Sequence, residues 1–204
     1  MKKVCANWPA EAFISGLVDA KHWQAFEENA KLAAAEIYKV SDYKVAEKTL
    51  KDVLQEFSPK EIIAVGGEEN SVLAGIYSRL ATDTTKVYTE KFDIAEHAPS
   101  ADVGISTAEF GIGETGSLVV DNFSYEARVT SMLPFVNVVF VNANYMVENV
   151  TTACQIIGKV FDKGYCGFVT GPSRTADIER VLSLGVHGPN RLIIIAVENE
   201  GGEN

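Results

Sequence analysis

The sequence predicts an α/β protein: a mainly parallel sheet covered on both faces by helices and preceded by an N-terminal helical segment. Three observations predict it. From Ile62 onward, short apolar runs alternate with stretches of helical spacing, the rhythm of strand–helix–strand units. Several runs, Val136 to Val141 above all, are apolar at successive positions, as in strands buried on both faces. The first third of the chain instead repeats its apolar residues every three or four positions, as amphipathic helices do. The 204 residues suit one domain, with a helical segment over 1–58 packed on an α/β core over 61–198.

In the helical segment, Phe26, Ala30, Ala33, Ala34, Ile37 and Val40 form one stripe. Ser41 offers a cap, with Asp42 in the first turn of a second helix. That helix carries Ala46, Leu50, Val53, Leu54 and Phe57, and Pro59 lies just beyond its end. The two stripes serve either packing within the chain or a homodimer interface. In the core, strands are expected at Ile62–Val65, Lys86–Tyr88, Val103–Ser106, Leu118–Val120, Val136–Val141, Phe168–Thr170 and Leu192–Val197. Helices are expected at Glu69–Leu80, Val147–Phe161 and Thr175–Leu182, and the acidic tail from Glu198 is expected to fray.

Composition excludes several classes of function. A net charge of −10 opposes nucleic-acid binding, which needs Lys and Arg against phosphates. No apolar run approaches the ~20 residues of a membrane span. Lys2 and Lys3 are followed by Glu11 and Asp19 rather than by the apolar core of a signal peptide, so a cytoplasmic location is expected. Cys5, Cys154 and Cys166 lack C-x-x-C spacing, against a disulfide framework, a zinc site or an iron–sulfur cluster. His22, His97 and His187 are scattered. No metal and no cofactor of the chain's own is expected.

Ligands of open α/β sheets bind on loops at the carboxyl ends of the strands, and three loops qualify. The first is Gly66–Asn70. The second, Thr107 to Gly116, contains Gly111-Ile112-Gly113-Glu114-Thr115-Gly116, a literal G-x-G-x-x-G. It is no dinucleotide fingerprint, because Ser117-Leu118-Val119-Val120 continues as a strand and not a helix. Its glycines allow an anion-binding nest of N–H groups. Glu114 is then either a nucleophile or general base, or a solvated or capping carboxylate. The third loop, Gly171-Pro172-Ser173-Arg174-Thr175, opens the expected helix. There Ser173, Arg174 and Thr175 either receive an anion or form an ordinary cap with Arg174 paired to Asp177. Arg128 is a further candidate cation. His187, in Gly185-Val186-His187-Gly188-Pro189, serves as acid–base group or only the turn.

Four blocks, in order, resemble the lactate-utilization protein C family (LutC/YkgG, the LUD domain). They are Ala108–Ser117; Arg128 with Ser131-Met132-Leu133-Pro134; Gly171–Glu179; and Gly185–Pro189. Where the family often has a histidine after the Leu-Pro block, this chain has Asn137. The resemblance implies a three-layer α/β/α fold similar to the NagB/RpiA/CoA-transferase-like superfold. It also implies a non-redox part in oxidising L-lactate to pyruvate, beside separate iron–sulfur partner proteins; the Gly111–Gly116 loop and the helix start at Ser173 are expected to bind a small anionic metabolite. The alternatives are a stand-alone transferase or isomerase using Glu114 on a phosphorylated or CoA-linked substrate, and a non-catalytic sensing or assembly module.

Overall fold

The computed structural model describes residues 16–172 and 188–199, with the backbone of 2–3, 174–176 and 182–184. Helix α1, Trp23–Leu32, buries Trp23, Phe26 and Ala30. It stops where Ala34 enters the left-handed region at φ 66°, a conformation that interrupts a right-handed helix. The expected continuation of the helix to Val40 is corrected: Glu36–Asp42 is strand β1. A spacing of three puts two residues on one side of a helix but on opposite sides of a strand. Accordingly Ile37 packs on one face of the sheet and Val40 on the other; pairing with Arg191–Asn199 fixes the extended conformation, which the Ile, Tyr and Val side chains fit. The front of the chain therefore contributes a strand to the main sheet.

Asp42, not Ser41, caps α2 (Tyr43–Phe57), accepting from the N–H groups of Lys44 and Val45 at 2.9 and 3.0 Å. Ser41 Oγ donates to the free carboxylate oxygen of that cap. There follow β2 (Glu61–Ala64), α3 (Ser71–Ser78), β3 (Lys86–Tyr88), α4 (Lys91–His97), β4 (Val103–Ile112) and β5 (Ser117–Asp121). The chain continues through α5 (Tyr125–Met132), β6 (Val136–Asn142), β7 (Met146–Val147), α6 (Val150–Val160), β8 (Cys166–Val169) and β9 (Arg191–Asn199). Helix α5, absent from the sequence-based expectation, starts where Ser124 Oγ accepts from Ala127 N.

The parallel order is β3-β2-β4-β6-β9-β1. Helices α2 and α3 cover one face through Leu50, Leu73 and Ile76, packed on Ile62, Ile105 and Ile193. The opposite face is covered by α1, packed on Val139 and Ile194, and by α4 and α5, packed on Ile63 through Ile94 and Val129. The architecture is thus three layers, α/β/α. Strand β4 continues past the parallel sheet, and its second half pairs with β5 antiparallel and β7 parallel, while β8 pairs β5 antiparallel. The helix expected over Thr175–Leu182 is also corrected. Arg174–Ala176 and Leu182–Leu184 form an antiparallel strand pair, so both ends of that stretch are extended and bonded to each other.

Candidate functional site

Chain direction places the site. From β2 the chain moves outward to β3, whereas β4, β6 and β9 run the other way across the sheet. The strands beside this switch point, β2 and β4, leave a crevice at their carboxyl ends. A cavity of about 450 Å³ lies there, walled by the loop 65–69, residues 89–91, β4 from Ser106 to Glu109, and residues 120–127. A smaller cavity of about 200 Å³ adjoins it through Gly66, Glu69, Thr107 and Glu109.

Local chemistry shapes each wall. Gly66 has φ +90°, and a Cβ on it would lie 2.8 Å from Thr107 Cγ2, so only glycine lets this loop rest on β4. Tyr77 OH donates to Val65 O at 3.0 Å and pins the same loop. Burial pushes that phenol's pKa up, so it remains a neutral donor. Asn70 caps α3 through Oδ1, while its Nδ2 donates to Tyr43 OH. Across the cleft, the Arg128 guanidinium donates to the carbonyls of Asn122 and Phe123 at 3.0 and 2.8 Å. It therefore braces the wall rather than facing a ligand.

Glu109 stands at a β-bulge, because Ala108 pairs with Val120 and Phe110 with Val119, leaving no partner position between them. A bulge re-aims a side chain out of the strand's alternation, and Glu109 lines both cavities. Ser106, 4% exposed, lines the larger one. Its Oγ has no hydrogen-bond partner among the described residues, and neither has the buried Oε2 of Glu126 on the same wall. A buried polar atom without a partner costs roughly 1–3 kcal/mol. Sequence reasoning missed Ser106 and Glu126, and placed Glu109 in a candidate loop without giving it a role. The signal for Glu109 was a lone charge inside an otherwise uncharged strand; Ser106 gave none.

The glycine loop proves to be a hairpin turn between β4 and β5, beyond the cavity. Its expected anion nest is not available. The N–H groups of Gly111, Gly113, Glu114 and Gly116 donate to the carbonyls of Tyr145, Val147, Glu148 and Ile112. Glu114 Oε2 accepts from Val150 N at 3.1 Å, capping α6, so the capping alternative is the one realised. Thr115 Oγ1 donates to Ser117 Oγ, which meets Thr170 Oγ1 at 2.8 Å. A Cβ on Gly116 or Gly171 would run into the backbone of α1 or of Ala33 just after it. These glycines pack α1 onto the sheet. Arg174 and Thr175 lie in the extended pair, whereas Ser173 and His187 fall outside the described residues.

The other ionisable candidates sit elsewhere. His97 ends α4, with its ring stacked 3.8 Å from Tyr88 and Nδ1 3.2 Å from Glu61 Oε1. The Ser100 hydroxyl, ahead of His97, holds the Glu61 carboxyl below its ordinary range. Burial, then the neighbouring Glu109 carboxylate, pushes the Cys166 thiol up, away from a reactive thiolate. Asn137 is fully buried and donates to Ser131 O. Among the described residues, no group of three His, Cys, Asp or Glu is placed to hold a metal ion, and no helix is long and apolar enough to cross a membrane.

Comparison with known proteins fits this architecture. Residues 23–197 match the family model of the LUD domain. The chain belongs to the LUD domain family. Lactate utilization protein C of Halalkalibacterium halodurans is 29% identical over 75% of this chain and 69% of its own length. That of Anoxybacillus flavithermus is 31% identical over 66% of this chain and 62% of its own length, so less than two thirds of that relative is spanned. YkgG of Escherichia coli is 26% identical over 85% of this chain and 77% of its own length. A DUF162 family protein from Deinococcus radiodurans, of known crystal structure, superposes with a TM-score of 0.60 at 20% identity. That match covers 87% of this chain and 97% of the other, a likeness of fold.

Proposed function

We propose that this LUD domain protein takes part in oxidising L-lactate to pyruvate as a metabolite-binding component, with electron transfer left to separate iron–sulfur proteins. Relatives named lactate utilization protein C support the pathway. The observation that carries the binding role is the switch-point cavity, with two polar atoms in its wall that have no partner among the described residues. Its volume is that of a small-molecule site. The bulge favours a second reading, catalysis within the same cleft, with Glu109 as the proton acceptor in place of Glu114.

The test is L-lactate consumption by cells that have no second lactate-oxidising route and lack this chain. The wild-type chain and Asp52→Asn, on the exposed side of α2, are expected to restore consumption. Ser106→Ala with Glu126→Gln is expected to fail although the protein accumulates. Undiminished consumption without the chain would remove the lactate role. Full rescue by the double variant would remove the cleft from it.

A further inference from the structure

Helix α5 is turned against the usual arrangement, polar inward and apolar outward. Its buried side carries Thr130 and Ser131. A Cβ on Gly104 of β4 would run into Thr130 O, so the helix backbone rests directly on the sheet. Beneath it, Asn137 Nδ2 donates to Ser131 O at 3.4 Å. Among the described residues, Val129 is the only α5 side chain that joins the apolar core. A surface helix ordinarily gains its stability by burying an apolar face, and this one buries a single apolar side chain.

The other large apolar groups stand outside. Phe123, Tyr125, Met132, Leu133 and Phe135 are 47–58% exposed, and every exposed residue of 123–135 is one of these five. Tyr165 adjoins them, because its carbonyl accepts from Asn122 N at 2.8 Å, and it is exposed as well. Half of a large side chain is about 100 Å², so the six together offer roughly 600 Å². That is the upper end of what a monomer leaves uncovered. Two copies meeting here would bury roughly 1,200 Å², the area at which specific interfaces begin.

Charge decides which occupant fits. Within 123–135 no charged residue is exposed; Glu126 and Arg128 are half-buried, and the Arg128 guanidinium is taken up by the carbonyls of Asn122 and Phe123. A partner of opposite charge is normally met by charged groups, which this face does not present. A second copy carries the same net charge of −10, and an uncharged face is where two such chains meet with least repulsion. The stripes of α1 and α2 are not that face, since Phe26, Ala30, Ala46 and Leu50 are fully buried within the chain.

We propose that two copies of this chain pair through α5 about a two-fold axis. Tyr125 and Met132 are seven positions apart, hence on one side of the helix and about 10 Å apart along it. In an antiparallel pair, Tyr125 of one copy meets Met132 of the other, and the reverse contact follows by symmetry. Phe123 also lines the switch-point cleft, so the second copy stands at the mouth of that cleft.

The test is sedimentation velocity of the purified chain at physiological salt, at concentrations up to about 100 µM, which detects even weak dimers. A dimer is expected. Tyr125→Lys and Met132→Lys should each raise its Kd at least about a hundredfold, because each change enters a two-fold contact twice. Val72→Lys, at an exposed apolar position on α3 across the sheet, should leave it unchanged. Circular dichroism checks that each variant folds, and Tyr125→Ser and Met132→Ser take the place of a lysine variant that does not. Tyr125→Cys combined with Met132→Cys should give a disulfide-linked dimer on mild oxidation, whereas the wild-type chain with its exposed Cys154 should not. A monomer throughout would overturn the proposal and leave the face to a different protein. A dimer indifferent to both α5 positions, or one that the paired cysteines never cross-link, would overturn it too. Lactate consumption is read separately, so the dimer and the pathway role stand or fall independently.

Discussion

Replacing Gly116 by alanine separates a packing glycine from an anion-binding one. Gly116 has φ +66°, which costs a non-glycine residue roughly 1 kcal/mol. The new Cβ would lie 2.5 Å from both Ala30 Cα and Asn29 C. Those are backbone atoms of α1, which cannot rotate aside as a flexible side chain can. Relief requires α1 to move away from the sheet, although Phe26 and Ala30 on it are fully buried. Overpacking of this kind costs about 1–3 kcal/mol. The two contributions together come to about 2–4 kcal/mol, or a fall in Tm of roughly 5–15 °C for a chain of this size. Urea denaturation followed by circular dichroism measures it, with the m-value expected to stay constant. A loss below about 1 kcal/mol, accompanied by loss of ligand binding, would refute the packing account and restore the loop as a binding nest.

Other expectations use the same measurements. Gly158→Ala in α6 should raise stability by about 0.5 kcal/mol, because a Cβ there meets nothing within 4 Å and alanine is the better helix former; a loss would count against the packing of α6. Glu114→Gln should cost less than about 1 kcal/mol, since the amide oxygen can still accept from Val150 N and only the charge at the helix start is lost. Lactate consumption should survive that change, whereas its abolition would return Glu114 to the catalytic role. Glu47 joins α2 to α3, accepting from Arg79 Nε and Nη2 and from Lys51 Nζ, and these bonds hold its carboxyl at about 2 instead of 4.5. Its folded pKa is depressed, so its contribution is present above pH 4.5 and is lost as pH falls toward 2. After solvent screening that is about 1–2 kcal/mol. Urea midpoints between pH 5 and 2.5 should fall less steeply for Glu47→Gln than for the wild-type chain; equal slopes would show that the pair contributes nothing.

The α/β class was legible in the sequence because strands buried on both faces must be apolar at successive positions. Val136–Val141 and Leu192–Val197 announce that locally, and each has a paired strand on both sides. Helix α2 was legible for the same reason, from a stripe that matches its buried residues Ala46, Leu50, Val53 and Leu54. The stretch Ala33–Val40 was not, because a spacing of three is compatible with one helix face or two strand faces, and only the partner strand β9 selects between them. The glycines of Gly111–Gly116 stood out, but their meaning did not, since it depends on α1, nearly ninety residues earlier in the chain, lying across the hairpin.

The binding cleft was the least visible part. Ser106 is an inconspicuous small residue in an apolar strand, and Glu126 one of many surface-like acids. By itself the sequence determined which segments are apolar on one face or two, and so the layers. The tertiary structure decided which polar atoms stay without partners, by bringing β2, β4 and the start of α5 together at a switch in chain direction. Burial periodicity is a property of neighbours along the chain, whereas hydrogen-bond satisfaction is a property of neighbours in space.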